Sequence, residues 1–464
     1  MDNRKLLHEQ YEKFISNKIE VFKSVGFEIE KEKLNENLFE FQKDIVRWAL
    51  KKGRAAIFAG CGSGKTIMQL EWANQIIKKE GGNVLILAPL SVTYQTKEEG
   101  EKFGYVVNIC ETQDDIKEGI NITNYEKLNK FITKDLIAIV LDESSILKSF
   151  TGKVRTELIN NFKNTPYRLA CTATPAPNDY MELGNHSQFL GIMTREEMLS
   201  MYFVHDGGQT SKWRLKNHAV ERFWEWLATW SVTVNNPSDL GYEMEGYELP
   251  KLNIKEIIVD GDEIITEKLT LTQRKEARKE KIDMKLPIVE ELVKSNDEKW
   301  LIWCDYNYEQ EQLEKLLKDD CVSIQGSTKP KFKIQWEDEW RNGNKRILVT
   351  KSKIFGYGMN WQHCHNVIFF GMSDSFEEYY QALRRTWRFG QEHEVTVYIV
   401  ISAREGTVKE NIERKQSDAE KMQEAMIKLT KEITKKELRE TVRISTPYNP
   451  NMNMRLPRWL TKEV

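Results

Sequence analysis

Long hydrophobic runs are missing from this chain of 464 residues. No apolar stretch approaches the roughly 18 residues that a membrane-spanning helix needs. The opening residues, MDNRKLLHEQYEKF, are charged and lack the apolar core of a signal peptide. The six cysteines are scattered, which disfavours a disulfide framework and fits a reducing compartment. We therefore expect a cytoplasmic protein without membrane association.

Neither positively nor negatively charged residues are in large excess. The 69 Lys and Arg residues nearly balance the 71 Asp and Glu residues, which leaves a net charge of -2. Overall charge thus does not indicate a nucleic-acid partner, and any basic surface must be local. The hydrophobic share of 40% and the charged share of 30% are typical of a soluble globular protein.

Short apolar runs alternate with helical stretches along most of the chain. Four runs of strand length lie in the first half, at 54–60, 83–89, 136–143 and 167–175. The pattern restarts in the second half at 298–307, 346–352, 366–371 and 395–402. Strands that are buried on both faces of a parallel sheet have this composition, so we predict an α/β protein with two sheet-containing halves.

Between the halves the composition changes. Residues 212–230 are predicted to form an aromatic helix, and the highly charged residues 271–285 a helical or mobile connector. Phe223, Leu227 and Trp230 recur at helical spacing, so we expect this helix to pack against the first half. A wedge or a nucleic-acid contact made by its tryptophans is the alternative.

A glycine-rich turn, AGCGSGKT at 59–66, follows the first apolar run and precedes a helical stretch. In this context the glycines allow a tight turn whose N–H groups face phosphates, and the helix N-terminus adds a favourable field. Lys65 would meet the β- and γ-phosphates, and Thr66 would hold Mg²⁺. The pattern departs from the usual P-loop only at its first position, where Ala59 stands. The expected turn-forming residues are Gly60, Gly62 and Gly64.

An acidic pair ends the third apolar run, in LDESS at 141–145. Carboxylates at the carboxyl end of a strand can hold a metal and orient water. We expect Asp142 to be the Mg²⁺ partner, directly or through water, and Glu143 to be the base that polarises the attacking water.

With these motifs the chain resembles the second helicase superfamily. AGCGSGKT, LDESSILKS and LACTATPAPN look like its motifs I, II and III, and LFEFQKDIVRWAL looks like its Q motif. KIFGYGMNWQHC and YYQALRRTWRFGQ resemble motifs V and VI of the SWI/SNF-like branch. The segment HDGGQTSKWRLKNHAVERFWEWLATW and the residues after it look like the insert of small helicases from bacteriophages and prophages.

The resemblance implies a fold of two tandem RecA-like domains with a helical insert and a helical C-terminal extension. The implied divisions are an N-terminal helical extension at 1–38, a first domain at 39–245 with the insert at about 186–230, a linker at 246–284, a second domain at 285–405 and a C-terminal helix and tail at 406–464. We expect the C-terminal helix to pack on the second domain rather than to form a coiled-coil dimer, and we expect a monomer.

The resemblance also implies residues for ATP and Mg²⁺. The implied ATP-binding residues, among which Gln42 would read adenine, are Gln42, Gly60, Cys61, Gly62, Ser63, Gly64, Lys65 and Thr66. Thr172 and Thr174 are expected to couple the ATP site to the track.

Three arginines crowd the motif VI-like stretch of the second half. By resemblance, Arg388 is the finger that reaches the γ-phosphate, Arg385 assists it, and Gln381 senses the nucleotide or its water. Arg384 falls outside the matched pattern, and for it we expect only a solvent-facing position.

Contacts to a nucleic-acid track follow from the resemblance in the same way. Small polar residues and backbone amides suit phosphate oxygens, which position a protein without reading sequence. The expected contact residues are Pro89, Leu90, Ser91, Thr123, Tyr125, Gly326, Ser327, Thr328, Lys351, Gly358 and Asn360.

Together these features predict an ATP-dependent DNA translocase or helicase that moves along duplex DNA, with a role in phage replication, recombination or repair. Two alternatives stay open. One is an RNA-directed helicase of the same superfamily, and the other is a nucleotide-gated DNA-binding switch that does not unwind.

Overall fold

The computed structural model describes residues 24–148, 152–176, 179–205, 213–244, 246–260, 270–355, 359–373 and 375–438. Within these ranges the apolar runs form two separate parallel sheets flanked by helices, which confirms the predicted α/β fold of two tandem RecA-like domains. No helix in the described ranges is both long and apolar enough to cross a membrane. Most of the expected N-terminal extension, residues 1–23, lies outside the described residues.

The first domain is built on a seven-stranded sheet with the order β3-β4-β2-β5-β6-β1-β9. The strands of this half are β1 Arg54–Ala59, β2 Asn83–Ala88, β3 Val107–Ile109, β4 Gly119–Asn124, β5 Leu136–Asp142, β6 Tyr167–Thr172, β7 Phe203–His205, β8 Trp213–Leu215 and β9 Ser231–Val234. Its helices are α1 Glu40–Lys52, α2 Lys65–Glu80, α3 Thr93–Lys102, α4 Lys153–Phe162, α5 Leu183–Leu190, α6 Arg195–Tyr202 and α7 Val220–Trp230. All six residues of β6 are buried, as expected for a strand covered on both faces.

The aromatic insert differs from its prediction at one end. The helix expected over 212–230 begins only at Val220, because β8 pairs with β7 in an antiparallel hairpin. Phe223, Leu227 and Trp230 are fully buried in the core of the first domain. The packing role predicted for this helix is therefore confirmed, and β9 follows it directly to become the edge strand beside β1.

The second domain has a six-stranded parallel sheet with the order β10-β15-β14-β11-β13-β12. Its strands are β10 Leu252–Ile258, β11 Trp300–Trp303, β12 Cys321–Ser323, β13 Ile347–Thr350, β14 Asn366–Phe369 and β15 Val395–Ile401. The helices of the second half are α8 Leu271–Glu280, α9 Ile282–Lys294, α10 Asn307–Leu317, α11 Pro330–Asn342, α12 Ser352–Phe355, α13 Phe376–Leu383 and α14 Gly406–Leu438.

The segment expected to be a linker, 246–284, is largely part of the second domain. β10 pairs with β15 along its whole length and forms the edge of the second sheet. On α8, the Arg278 guanidinium is buried and donates to Glu309 at 2.8 Å and to Asp305 at 2.7 Å. A buried cation of this kind needs paired carboxylates, so a charge-rich sequence is here a fixed structural element rather than a mobile connector.

The C-terminal helix α14 spans both domains, which corrects the expectation that it packs on the second domain alone. Val408 and Ile412 near its start lie in the core of the second domain. Met426, about five turns from its start, is 1% exposed and lies in the core of the first domain beside the aromatic insert. This helix therefore connects the cores of the two domains.

Candidate active site

The glycine-rich turn connects β1 to α2 at the carboxyl edge of the first sheet. Gly62 and Gly64 have φ angles of 88° and 79°, which favour glycine. A Cβ atom on Gly64 would lie 2.2 Å from Gln42 Nε2, so this position also lacks space for a side chain. α2 begins at Lys65, directly after Gly64. Its free N–H groups open onto the turn, which is the arrangement that binds phosphate.

Gln42 holds this turn in place. Its Nε2 donates to the Ser63 main-chain oxygen at 2.9 Å, while its Oε1 accepts from the Phe39 N–H at 2.9 Å. The side chain is 2% exposed. The structure thus places Gln42 against the phosphate loop, and its expected contact with adenine stays a prediction.

Lys65 lies folded onto its own loop. Its Nζ donates to the main-chain oxygens of Ala59 at 2.9 Å and Gly60 at 3.2 Å. An ammonium group carries three donors, so one of them is left for a phosphate oxygen. Thr66 follows in the first turn of α2, where its hydroxyl would reach a metal bound to that phosphate.

Asp142 ends β5 next to the phosphate loop. Its Oδ1 accepts from Gln69 Nε2 at 2.7 Å, and its main-chain oxygen accepts from the Tyr125 hydroxyl at 2.6 Å. Burial raises the pKa of the Asp142 carboxyl, and the nearby Lys65 ammonium opposes this rise. Sequence reasoning missed Gln69, although its position four residues after Lys65 puts both side chains on one face of α2.

Glu143 has a left-handed backbone, with φ of 52°, which is unusual for a residue other than glycine. Burial raises the pKa of its carboxyl to about 7, the range that suits a general base at neutral pH. Thr172 Oγ1 donates to Glu143 Oε2 at 3.4 Å and accepts from the Thr174 N–H at 3.1 Å. Both threonines expected to couple the sites therefore lie in one chain of contacts with the expected base.

The three arginines of the second domain face this site across the cleft between the domains. Arg385 and Arg388 donate to the Met359 main-chain oxygen at 3.2 Å and 3.0 Å. Burial lowers the pKa of Arg388 to about 10, so it stays charged at neutral pH. Arg384 contradicts its prediction: it does not simply face solvent but donates to the Cys61 main-chain oxygen of the phosphate loop at 2.9 Å.

The cleft is suited to an acceptor-rich anion such as a triphosphate. Gln381 Nε2, Arg384 Nε and Arg388 Nε are buried donors with no acceptor among the described residues. Donors left in this way are costly unless a ligand satisfies them. Mg²⁺ prefers octahedral oxygen sites shared with substrate phosphates, and Asp142 with Thr66 supplies such oxygens beside the loop. The residues present therefore fit ATP with Mg²⁺.

Several expected track residues line one groove between the domains. The groove has a volume of about 620 Å³, and Pro89, Leu90, Gly326 and Asn360 are among its lining residues. Ser91 lies in the turn Leu90–Val92, beside it in the chain.

Other expected track residues are placed differently. Thr123 and Tyr125 are 1% and 7% exposed, which corrects the expectation that they contact a track: their side chains belong to the interior, and the Tyr125 hydroxyl holds the Asp142 strand end. Ser327 is exposed, Thr328 Oγ1 accepts from the Gln325 N–H at 3.1 Å, and Lys351 bonds Asn307. Gly358 lies outside the described residues.

Comparisons with known proteins agree with this geometry. Residues 7–177 match the family model described as type III restriction enzyme, res subunit, and residues 284–390 match helicase conserved C-terminal domain. No curated protein matches the chain in sequence.

Two solved structures are similar in shape. S. cerevisiae Dbp5 bound to RNA and ADP BeF3 has a TM-score of 0.53 at 11% identity, covering 84% of this chain and 93% of its own. The Sulfolobus solfataricus SWI2/SNF2 ATPase core in complex with dsDNA has a TM-score of 0.41 at 18% identity, covering 89% of this chain and 98% of its own. Only the likeness to Dbp5 has a TM-score above 0.5, and at 11% identity it shows the fold alone.

The two family matches coincide with the two domains that form the cleft. The phosphate loop and the acidic pair, which includes the expected base Glu143, lie in the first matched region, and the arginines lie in the second. The chain belongs to the second helicase superfamily, and it is an ATP-hydrolysing enzyme of the helicase and translocase class.

Proposed function

We propose that this chain is an ATP-driven translocase of the SWI/SNF-like branch that moves along duplex DNA. In this proposal ATP binds with Mg²⁺ between the phosphate loop and the arginines, Glu143 polarises the attacking water, and Arg388 stabilises the transferring phosphoryl group. The groove between the domains holds the track. DNA is favoured over RNA by the motif V and VI stretches, and a phage role by the insert.

One observation carries the coupling between hydrolysis and movement. The Met359 main-chain oxygen accepts from both Arg385 and Arg388 at the ATP cleft. The next residue, Asn360, lines the groove and donates to Glu99 Oε1 of the first domain at 3.0 Å. A shift of the arginines on hydrolysis would therefore pull on a residue that faces the track.

The groove has the chemistry of a weak, sequence-independent grip. Its basic lining residues are Lys102, Lys333, Arg341 and Lys353. Its acidic residues are Glu98, Glu99, Glu126 and Glu337. Glu337 Oε1 accepts a hydrogen bond from Trp361 Nε1 at 2.8 Å. A balanced lining gives limited attraction to phosphates, which suits a track that must be released at each step.

Steady-state ATP hydrolysis tests this proposal. The assay compares no nucleic acid, single-stranded DNA, blunt duplex DNA and duplex RNA, with Glu143→Gln protein as the control for contaminating activity. We expect the strongest stimulation by duplex DNA. Stimulation by RNA would show that the track is RNA rather than DNA and would leave the assignment as a motor unchanged. Equal slow rates under all four conditions would favour a nucleotide-gated switch.

A further inference from the structure

Arg384 is the member of the arginine cluster that touches the phosphate loop itself. Its Nη2 donates to the Cys61 main-chain oxygen at 2.9 Å, across the cleft between the two domains. The second domain contacts the same short stretch at two further points. Cys61 Sγ lies 3.8 Å from Gln381 Oε1, and a Cβ atom on Gly62 would lie 3.0 Å from Phe389.

Neighbouring aromatic rings orient the Arg384 guanidinium. It lies 5.1 Å from the centre of the Trp387 ring and 5.9 Å from that of Tyr380. The Trp387 indole is itself fixed by donating to the Pro250 main-chain oxygen at 2.8 Å. Guanidinium stacking of this kind favours one orientation of the planar fork, so the hydrogen bond to Cys61 comes from a preorganised donor.

The peptide that receives this bond belongs to the phosphate cradle. In a trans peptide the C=O and the following N–H point in opposite directions. When the Cys61 oxygen is held toward Arg384, the Gly62 N–H is directed to the other side of the loop. A glycine at φ of 88° can readily change this peptide orientation, so the loop alone does not fix it.

We propose that Arg384 is a positioning residue for ATP: closure of the second domain over the loop lets its guanidinium fix the Cys61–Gly62 peptide in the phosphate-binding orientation. Arg388 and Arg385 instead bond to Met359 of their own domain. Arg384 therefore has a separate role, in binding ATP rather than in stabilising its transferring phosphoryl group. This role does not depend on which nucleic acid the groove accepts.

The test uses the full chain and compares Arg384→Ala with Arg384→Lys. Arg404→Ala serves as the matched control, because Arg404 is an exposed arginine in the same domain. Steady-state ATP hydrolysis without nucleic acid gives KM and kcat. The rate at which iodoacetamide alkylates Cys61 reports how well the loop is covered, since Cys61 is half-buried and the other five cysteines are buried. Thermal melting monitors the fold of each variant.

We expect Arg384→Ala to raise the KM for ATP about tenfold, the effect of losing one charge-assisted hydrogen bond. Its kcat should change much less, and Cys61 should be alkylated faster. Arg384→Lys should recover part of the KM, because an ammonium can donate to the same oxygen without the stacked fork.

Two results would overturn the proposal. In one, KM and alkylation in both Arg384 variants equal those of Arg404→Ala. In the other, kcat falls while KM stays unchanged, which would make Arg384 a finger acting on the transferring phosphoryl group. If Arg384→Ala fails to fold, the same two measurements on Arg384→Lys decide the question.

Discussion

The Arg388 guanidinium donates to the Met359 main-chain oxygen at 3.0 Å, and the next residue in the chain, Asn360, lines the groove between the domains. The residue expected to reach the γ-phosphate and the residue expected to contact the track are therefore joined through one peptide unit. Burial of the cleft strengthens every charge interaction within it. In the proposed mechanism, a small change in the position of Arg388 on hydrolysis would be transmitted to the groove.

Replacing Arg388 removes the proposed γ-phosphate contact. We expect Arg388→Ala to lower kcat by about 10³- to 10⁵-fold, the typical loss for an arginine that stabilises phosphoryl transfer. Steady-state hydrolysis measures this effect, with Arg404→Ala as the exposed control. A turnover equal to that of the unchanged protein would contradict the assignment.

The raised pKa of Glu143 predicts a pH dependence. The carboxyl must be ionised to act as a base, and its pKa lies at about 7. We therefore expect kcat/KM for ATP to fall about tenfold per unit below about pH 7, because kcat/KM reports the free enzyme. A profile that stays flat between about pH 5.5 and 8 would contradict a base with this pKa.

The same shift affects stability. The folded pKa of Glu143 is above its usual value of 4.5, so the folded state binds the proton more tightly than the unfolded state. Its contribution to stability is present below the unfolded pKa and is lost as pH rises through about 7. Glu143→Gln should therefore be more stable than the unchanged protein at pH 8 by roughly 1 to 3 kcal/mol, with a smaller difference at pH 5. Urea denaturation at both pH values tests this sign.

Alanine substitution distinguishes a glycine that the phosphate loop needs from a glycine that is needed only for its left-handed backbone. Gly64 and Gly81 have similar φ angles of 79° and 73°, but a Cβ atom on Gly81 would meet nothing within 4 Å. Both Gly→Ala variants should lose about 1 to 2 kcal/mol to backbone strain. Only Gly64→Ala should lose affinity for a fluorescent ATP analogue, because its Cβ displaces Gln42 and thereby the loop. Equal affinities in the two variants would argue against this loop as the nucleotide site.

The helix that links the two domains offers another matched pair. Met426 is 1% exposed in the core of the first domain, whereas Leu429 on the same helix is 44% exposed. Met426→Ala should lower the free energy of unfolding by about 2 to 5 kcal/mol, and Leu429→Ala by far less. Thermal and urea unfolding distinguish the two, and similar losses would mean that α14 does not dock as described.

Sequence patterns predicted the features that depend on local chemistry. The apolar runs around Ile57 and Val140 became buried strands, and the glycine spacing placed the phosphate loop between a strand and a helix. Contacts between segments that are distant in sequence were not predictable in this way. Arg384 was expected to face solvent, and its bond to Cys61 could not be foreseen because it joins the two domains. β10 was assigned to a linker, and its pairing with β15 could not be foreseen because the paired residues lie 143 positions apart.

Burial explains the remaining errors. Tyr125 was expected to contact the track because its segment resembles one that does so, yet its side chain is buried and its hydroxyl donates to the main-chain oxygen of Asp142. Arg278 belongs to a segment that was expected to be a helical or mobile connector, but its guanidinium is paired with Glu309, Asp305 and Glu405. Polarity along the chain therefore does not reveal which charged or polar groups find buried partners.

ATP-dependent displacement of a third strand that is bound to duplex DNA as a triplex tests most directly whether hydrolysis drives movement along DNA. The account predicts that the unchanged protein displaces the third strand when ATP is present. Arg388→Ala protein should bind the same DNA without displacing that strand. Hydrolysis stimulated by duplex DNA without any displacement would contradict the motor.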